Sequence, residues 1–325
     1  MHKDVSFNSA IGHHIQGFID EKQAAGYKYH NEFLWMKKFD DYWQSHNYGD
    51  SGLTQENLEE WLRKRDTEGT GCLKHRTSVI REFSLYLNGL GIFSYYPAIE
   101  VRYPKPPAYV LTDEELKAFF YQADHFTPER ASKMSARMAN EYPILFRLIA
   151  CTGLRNSEAA HIPMENIDLE KGMIVILDGK GNKDRAVYLP ADLLTMCLDY
   201  HQYLCTELGG EPKWLFPGKS PDRPISISTV DARFAKFWNM TAFGGKTALK
   251  PCVHSLRHTM ITRRINLWVK QGISFEQMMP YSCKFLGHKS FSETYYYFHY
   301  IEDSARIIRK KDSTISRVIP EVVRR

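Results

Sequence analysis

Hydrophobic and polar positions alternate in two textures along the chain. Over roughly the first hundred residues apolar side chains recur at three- and four-residue steps, the period of one helix face. Phe33, Met36, Phe39, Asp40 and Trp43 form one such series. The pattern predicts helices near 9–25, 31–46, 54–66 and 73–88, enough for a small four-helix bundle. Thr54 is placed to cap the third helix with Glu56 in its first turn, and Gly26, Gly89 and Gly91 suit helix ends. A proline-rich stretch follows, PAIEVRYPKPPAY over 97–109. Pro104, Pro106 and Pro107 cannot all sit inside a helix or central strand, so this segment reads as an extended linker. It suggests domains of 1–105 and 106–325.

Beyond the linker the texture changes twice. Thr112-Asp-Glu-Glu115 fits a capping box ahead of LKAFFYQA, and EYPILFRLIACT over 141–152 predicts the next helix. Then MIVILD (173–178) and RAVYL (185–189) are β-rich runs separated by GKGNKD, which predicts a hairpin. Helical periodicity returns near 191–207, 228–241, 256–269, 275–284 and 290–301. The expected fold class is mainly α with a small antiparallel sheet.

Composition narrows the function classes little. A chain of 325 residues with 43% hydrophobic positions favours two globular domains over disorder or a disulfide scaffold. No stretch approaches the length of an apolar membrane span, and the N-terminus lacks a signal-like apolar run. The six cysteines form no CxxC pair and read as reduced, mostly buried thiols of a cytoplasmic protein. Net charge is +5, too mild to indicate nucleic acid by itself. Its distribution is uneven: −1 through Lys105 and +6 beyond, with seven Lys or Arg against two acids in the last 21 residues.

No P-loop, HExxH or GxSxG element is present. Four local patches remain. In CTGLRNSE (151–158) Gly153 breaks a helix, and Arg155 and Glu158 lie three apart, on one face of the next. Alone this reads more readily as a surface ion pair. In GKGNKDR (179–185) Lys180 sits at a hairpin tip, ordinarily a solvated position. In HSLRHT (254–259) His254 and Arg257 are again three apart, and an imidazole beside a guanidinium needs an anion such as phosphate to make the pairing favourable. An ordinary capped helix start is the other reading. In LGHKSFSETYYYFHY (286–300) three successive tyrosines point in directions about 100° apart on a helix, so at most two can face one site; core packing is their common use.

In order and spacing, the four patches together resemble the tyrosine recombinase (phage integrase) family. CTGLRNSE is similar to its first-arginine motif, GKGNKDRAVYLP to its hairpin-lysine motif and HSLRHT to its His-x-x-Arg motif. LGHKS, with Tyr297 nine residues after His288, is similar to its closing histidine and nucleophile motif. The resemblance implies a helical core-binding domain (SAM-like) followed by an α+β catalytic domain. It implies Tyr297 as nucleophile, Arg155 and Arg257 as the phosphate clamp, and Lys180 as general acid. His254 would assist proton transfer, His288 would bond the phosphate, and Glu158 would orient Arg155. His258, adjacent to Arg257, is expected to point elsewhere and to be structural; His299 and Tyr300 are expected to support the site. The implied activity is metal-independent cleavage and rejoining of DNA strands through a 3′-phosphotyrosyl link and a Holliday junction, with no cofactor, on behalf of a mobile element.

The implied partners are a double-stranded recombination site and further copies of the chain: a dimer on one site, a tetramer on two duplexes. The tail over 302–325, with Ile307, Ile308, Ile315, Val318 and Ile319, would dock on a neighbouring subunit. Basic runs in the first domain supply DNA-binding candidates: Arg63, Lys64, Arg65, Lys74 and Arg76. The stretch between Arg257 and Leu286 is longer than in compact relatives. Two other readings share parts of this chemistry: a type IB topoisomerase, and a silent DNA-binding architectural protein.

Overall fold

In the computed structural model, residues 6–98, 107–129, 132–177, 184–247, 249–287 and 290–297 are described. Two compact units emerge, Met1–Pro106 and Pro107–Arg325.

The first unit contains helices α1 (Gly12–Ala24), α2 (His30–Ser45), α3 (Gln55–Leu62) and α4 (Thr70–Gly89). The buried face of α2 is the predicted series Phe33, Met36, Phe39, Asp40 and Trp43. Its apolar members pack with Phe18, Trp61 and Phe83 into a largely aromatic core. Asp40 is tolerated there because its carboxylate accepts the amides of Asn8 (2.8 Å) and Ser9 (3.0 Å) and binds Lys37 at 3.0 Å. Thr54 caps α3 through a reciprocal pair with Asn57. The helix stops at Leu62, short of the predicted end at 66, because Arg63 turns extended.

The second unit opens with α5 (Asp113–Asp124), capped by Thr112 and Glu115 as the sequence predicts. α6 (Lys133–Thr152) follows and supplies much of the unit's buried surface. It starts earlier than the expected 141: Ser132 caps it, and Pro143 sits inside it rather than near its start. A five-residue helix, α7 (Asn156–Ala160), precedes a single 3₁₀ turn (Met164–Asn166) and the strands β1 (Ile167–Asp168), β2 (Met173–Ile176) and β3 (Arg185–Tyr188). The strands form an antiparallel sheet in the order β1-β2-β3, with Ile174 opposite Val187 and Ile176 opposite Arg185. Period-2 alternation puts Ile174, Ile176, Val187 and Arg185 on the buried side.

α8 (Ala191–Leu208), α9 (Ile227–Met240), α10 (Val253–Lys270), α11 (Phe275–Leu286) and α12 (Phe291–Tyr295) complete the unit. Its core joins α6 to α5 and α9 through Phe119, Phe146, Phe234 and Phe237. A smaller cluster of Met260, Ile261, Ile265, Met279, Cys283, Leu286 and Tyr297 sets α10 against α11 and the end of α12. Of the six cysteines, only Cys197 and Cys283 are buried, against the expectation that most would be. Among the described residues no helix is long and apolar enough to cross a membrane.

Candidate active site

Two helices end where the site begins. α6 terminates at Gly153 and α11 at Gly287, both in the left-handed region with φ of 68° and 62°. An added Cβ at Gly153 would collide with the Met260 methyl. One at Gly287 would lie 2.9 Å from a guanidinium nitrogen of Arg185. Only glycine fits either place without strain.

These turns expose backbone carbonyls, and three arginines take them. Arg185 donates to Phe285 O (2.9 Å), Arg257 to Leu286 O (2.8 Å) and Arg155 to Gly287 O (2.7 Å). Arg257 also donates to Gly153 O, tying the end of α6 to the end of α11. The last carbonyls of a helix have no partner within it and carry its negative dipole end, so guanidiniums are favourable there. Three successive carbonyls thus receive three cations from separate parts of the chain: the start of α7, the inward face of β3 and the first turns of α10.

One carboxylate is hydrogen-bonded to this cluster among the described residues. Glu158 binds Arg155 at 2.6 Å and Arg185 at 3.1 and 2.6 Å, and it accepts the Arg155 amide at 2.9 Å. The i, i+3 pairing expected from CTGLRNSE is therefore present, with Glu158 reaching back to cap α7. Burial alone would raise the Glu158 carboxyl; the Arg185 hydrogen bond, the Arg155 amide and both guanidinium charges outweigh it and hold the group at about 2. Arg257, 2% exposed, is pushed the other way: burial and then the charge of Arg155 lower it to about 10. His254 is lowered to about 4 by burial and then by Arg257 and Arg155, so it is neutral at pH 7. Positive charge here is crowded and desolvated, the electrostatic condition of an anion site.

Tyr297 is buried beside these groups, and its hydroxyl lies 2.7 Å from Nδ1 of His258. His258 is thus at the site, which corrects its reading as a structural residue pointing elsewhere. The signal for it lies in spacing: His254 and His258 are four apart on α10 and share a face, with ring centroids 4.5 Å apart and edge-on. The three tyrosines divide as helix geometry requires. Tyr295 is exposed, Tyr296 accepts the Ala108 amide at 2.8 Å, and Tyr297 points inward. Arg185 is absent from the sequence-based candidates, although period-2 alternation with Val187 places it on the buried face of β3. Lys180, His288, His299, Tyr300 and the 302–325 tail lie outside the described residues.

Among the DNA-binding candidates, Arg63, Lys64, Arg65 and Lys74 are exposed. Arg76 is not. It is fully buried and donates through two nitrogens to Glu68 (3.0 and 2.7 Å) and to Arg63 O (3.2 Å). The fork is occupied by a carboxylate, so Arg76 is corrected from a phosphate contact to a structural ion pair.

Known proteins are similar to this chain in sequence and in fold. Residues 110–303 match the phage integrase family. A tyrosine recombinase of Pseudothermotoga lettingae is 26% identical over 273 residues, 81% of this chain and 82% of its own. Tyrosine recombinase XerA of Pyrococcus furiosus is 30% identical over 156 residues, 47% of this chain and 48% of its own. The solved structure of a lambda integrase tetramer bound to a Holliday junction has a TM-score of 0.60, covers 93% of this chain and 80% of its own, and at 19% identity shares the fold. The chain belongs to the phage integrase family, the tyrosine recombinases. It is an enzyme of site-specific DNA recombination.

Proposed function

We propose that Tyr297 attacks the scissile phosphodiester between Arg155 and Arg257, and that the chain works as a dimer on one site and a tetramer on two duplexes. The observation that carries the reading is the convergence of three arginines on the end of α11, with Tyr297 hydrogen-bonded to His258 in the same cluster. A phosphodiester arriving there would exchange the carbonyl partners of Arg155 and Arg257 for its own oxygens. Two guanidiniums then stabilise the charge that builds in the pentavalent transition state. Arg185 and Glu158 hold Arg155 in place.

Two protons move in the step. The Tyr297 hydroxyl gives its proton to Nδ1 of His258 as its oxygen bonds to phosphorus, and neutral His254 stands edge-on beside that imidazole. The 5′-oxygen leaves and takes a proton from Lys180, while His288 donates a hydrogen bond to the phosphate. The 3′-phosphotyrosyl link conserves the bond, so a 5′-hydroxyl from a partner duplex can reverse the step without ATP.

Self-association is supported by an apolar groove of about 250 Å³ between α10 and α11, lined by Ile261, Ile265, Trp268 and Phe285 among others. The 302–325 tail of a neighbouring copy is its proposed occupant. Arg63, Lys64, Arg65 and Lys74 contact DNA phosphates in this reading, and the enzyme acts in the cytoplasm for a mobile element. Two duplexes carrying the mapped site provide the test. Wild-type protein should form a Holliday junction, and Tyr297→Phe should bind both duplexes without forming one. Relaxation of supercoils with no junction would instead favour a topoisomerase.

A further inference from the structure

Away from the arginine cluster, the C-terminal end of α8 gathers three side chains of metal-ligating chemistry. His201 and Cys205 lie four apart and share a face of the helix. The chain then turns at Gly209 and Gly210, whose amides both return to Cys205 O, and brings Glu211 back onto that face. His201 Nε2 is 3.5 Å from Cys205 Sγ, Cys205 Sγ is 3.5 Å from Glu211 Oε2, and His201 Nε2 is 2.8 Å from Glu211 Oε1. All three donors fall within 4.8 Å of one another.

We propose that His201, Cys205 and Glu211 form a zinc site that fixes the loop after α8. With zinc–sulfur bonds of about 2.3 Å and zinc–nitrogen or –oxygen bonds of about 2.0–2.1 Å, tetrahedral angles set donor–donor separations of roughly 3.3–3.6 Å. Both sulfur edges already have that length. The shorter nitrogen–oxygen edge is a hydrogen bond, which lengthens when the metal takes the place of its proton. Thiolate, imidazole and carboxylate together suit zinc rather than magnesium or calcium, whose sites are built from oxygen. The negative end of the α8 dipole favours a cation there as well. Water completes the fourth position. Binding releases the Cys205 thiol proton to solvent, and the imidazole proton resides on Nδ1.

The loop so fixed has a structural task. Lys213 O accepts the Met164 amide at 3.1 Å, and the Leu215 amide donates to Ile162 O at 3.0 Å. Ile162 and Met164 follow α7, the helix that carries Glu158. A metal on Glu211 would therefore stiffen the segment that α7 runs into, without touching the reacting groups.

The test uses the full chain, stripped with chelator and titrated with cobalt(II) and then zinc. The expected result is one metal per chain, a thiolate-to-cobalt charge-transfer band with tetrahedral d–d absorption, and a Tm raised by zinc. Cys205→Ser should lose the band and the Tm response while keeping the wild-type far-UV dichroism and covalent capture of nicked DNA. Glu211→Gln should weaken cobalt binding by about tenfold or more. Substoichiometric metal at saturating cobalt, or a band that survives Cys205→Ser, would overturn the proposal.

Discussion

Arginine is used in two ways in this molecule. In the first unit Arg76 meets Glu68 one to one: two hydrogen bonds, one cation, one carboxylate. In the second, buried Arg137 likewise pairs with Glu141, but Arg155, Arg185 and Arg257 meet at the end of α11 with Glu158 bonded to the first two, and helix-end carbonyls take donors that the carboxylate does not. The first arrangement is balanced in charge and holds the exposed basic run over 63–65 in place, since Arg76 also binds Arg63 O. The second gathers three guanidiniums against one carboxylate; burial first, and then the neighbouring guanidinium charge, lower Arg257 and His254. On the proposed reading, a phosphate site is marked not by buried arginine as such but by its surplus over carboxylate.

The largest expected contrast comes from removing one arginine of each kind. Arg257→Ala should slow covalent capture of nicked DNA by about 10²–10³-fold in the protein that remains folded, the effect of losing a transition-state donor. Arg76→Ala should cost about 3–5 kcal/mol of unfolding free energy by stranding Glu68, while protein that remains folded captures DNA at the wild-type rate. Urea unfolding and single-turnover capture on both variants separate the two outcomes. Equal loss of capture in both would erase the distinction.

Next in size is Glu158→Gln, which leaves Arg155 and Arg185 short of a counter-charge and should cost about 2–3 kcal/mol at pH 7. The sign with pH is fixed by the depressed carboxyl. Its stabilisation is fully present above pH 4.5, the ordinary value, and fades as pH falls toward 2. Wild type and variant should therefore converge in denaturation curves below pH 4.5. Smaller still are single changes of Arg63, Lys64, Arg65 or Lys74 to Gln. Each should lower the slope of log affinity against log salt by about 0.9 if it neutralises one phosphate, with little sequence dependence. The smallest effect is spectroscopic: the His254 ring should titrate near pH 4 in the free protein by NMR, rather than near 6.5. Because its folded value is depressed, this imidazole favours the folded state above pH 6.5, and that contribution is lost as pH falls from 6.5 toward 4.

The helices are legible in the sequence wherever a clear period meets a clear cap, as at Thr54 and Thr112. The start of α6 is not, because Pro143 reads as a first-turn residue while the actual cap, Ser132, lies three turns earlier in a stretch of weak periodicity. At the site, residues paired within one motif are legible: Arg155 with Glu158, and His254 with Arg257. Relations across elements escape. Arg185 matters because β3 turns it toward the end of α11, and His258 because α10 faces Tyr297. Arg76 misleads for the same reason, since its partner Glu68 lies in the preceding loop.

Peptide mapping of the covalent adduct tests the central claim most directly. A duplex nicked beside the cleavage position traps the enzyme on DNA, and digestion followed by mass spectrometry locates the attached nucleotide. The account predicts that the nucleotide is carried by Tyr297. Attachment to Tyr295, Tyr296 or Tyr300 would contradict it.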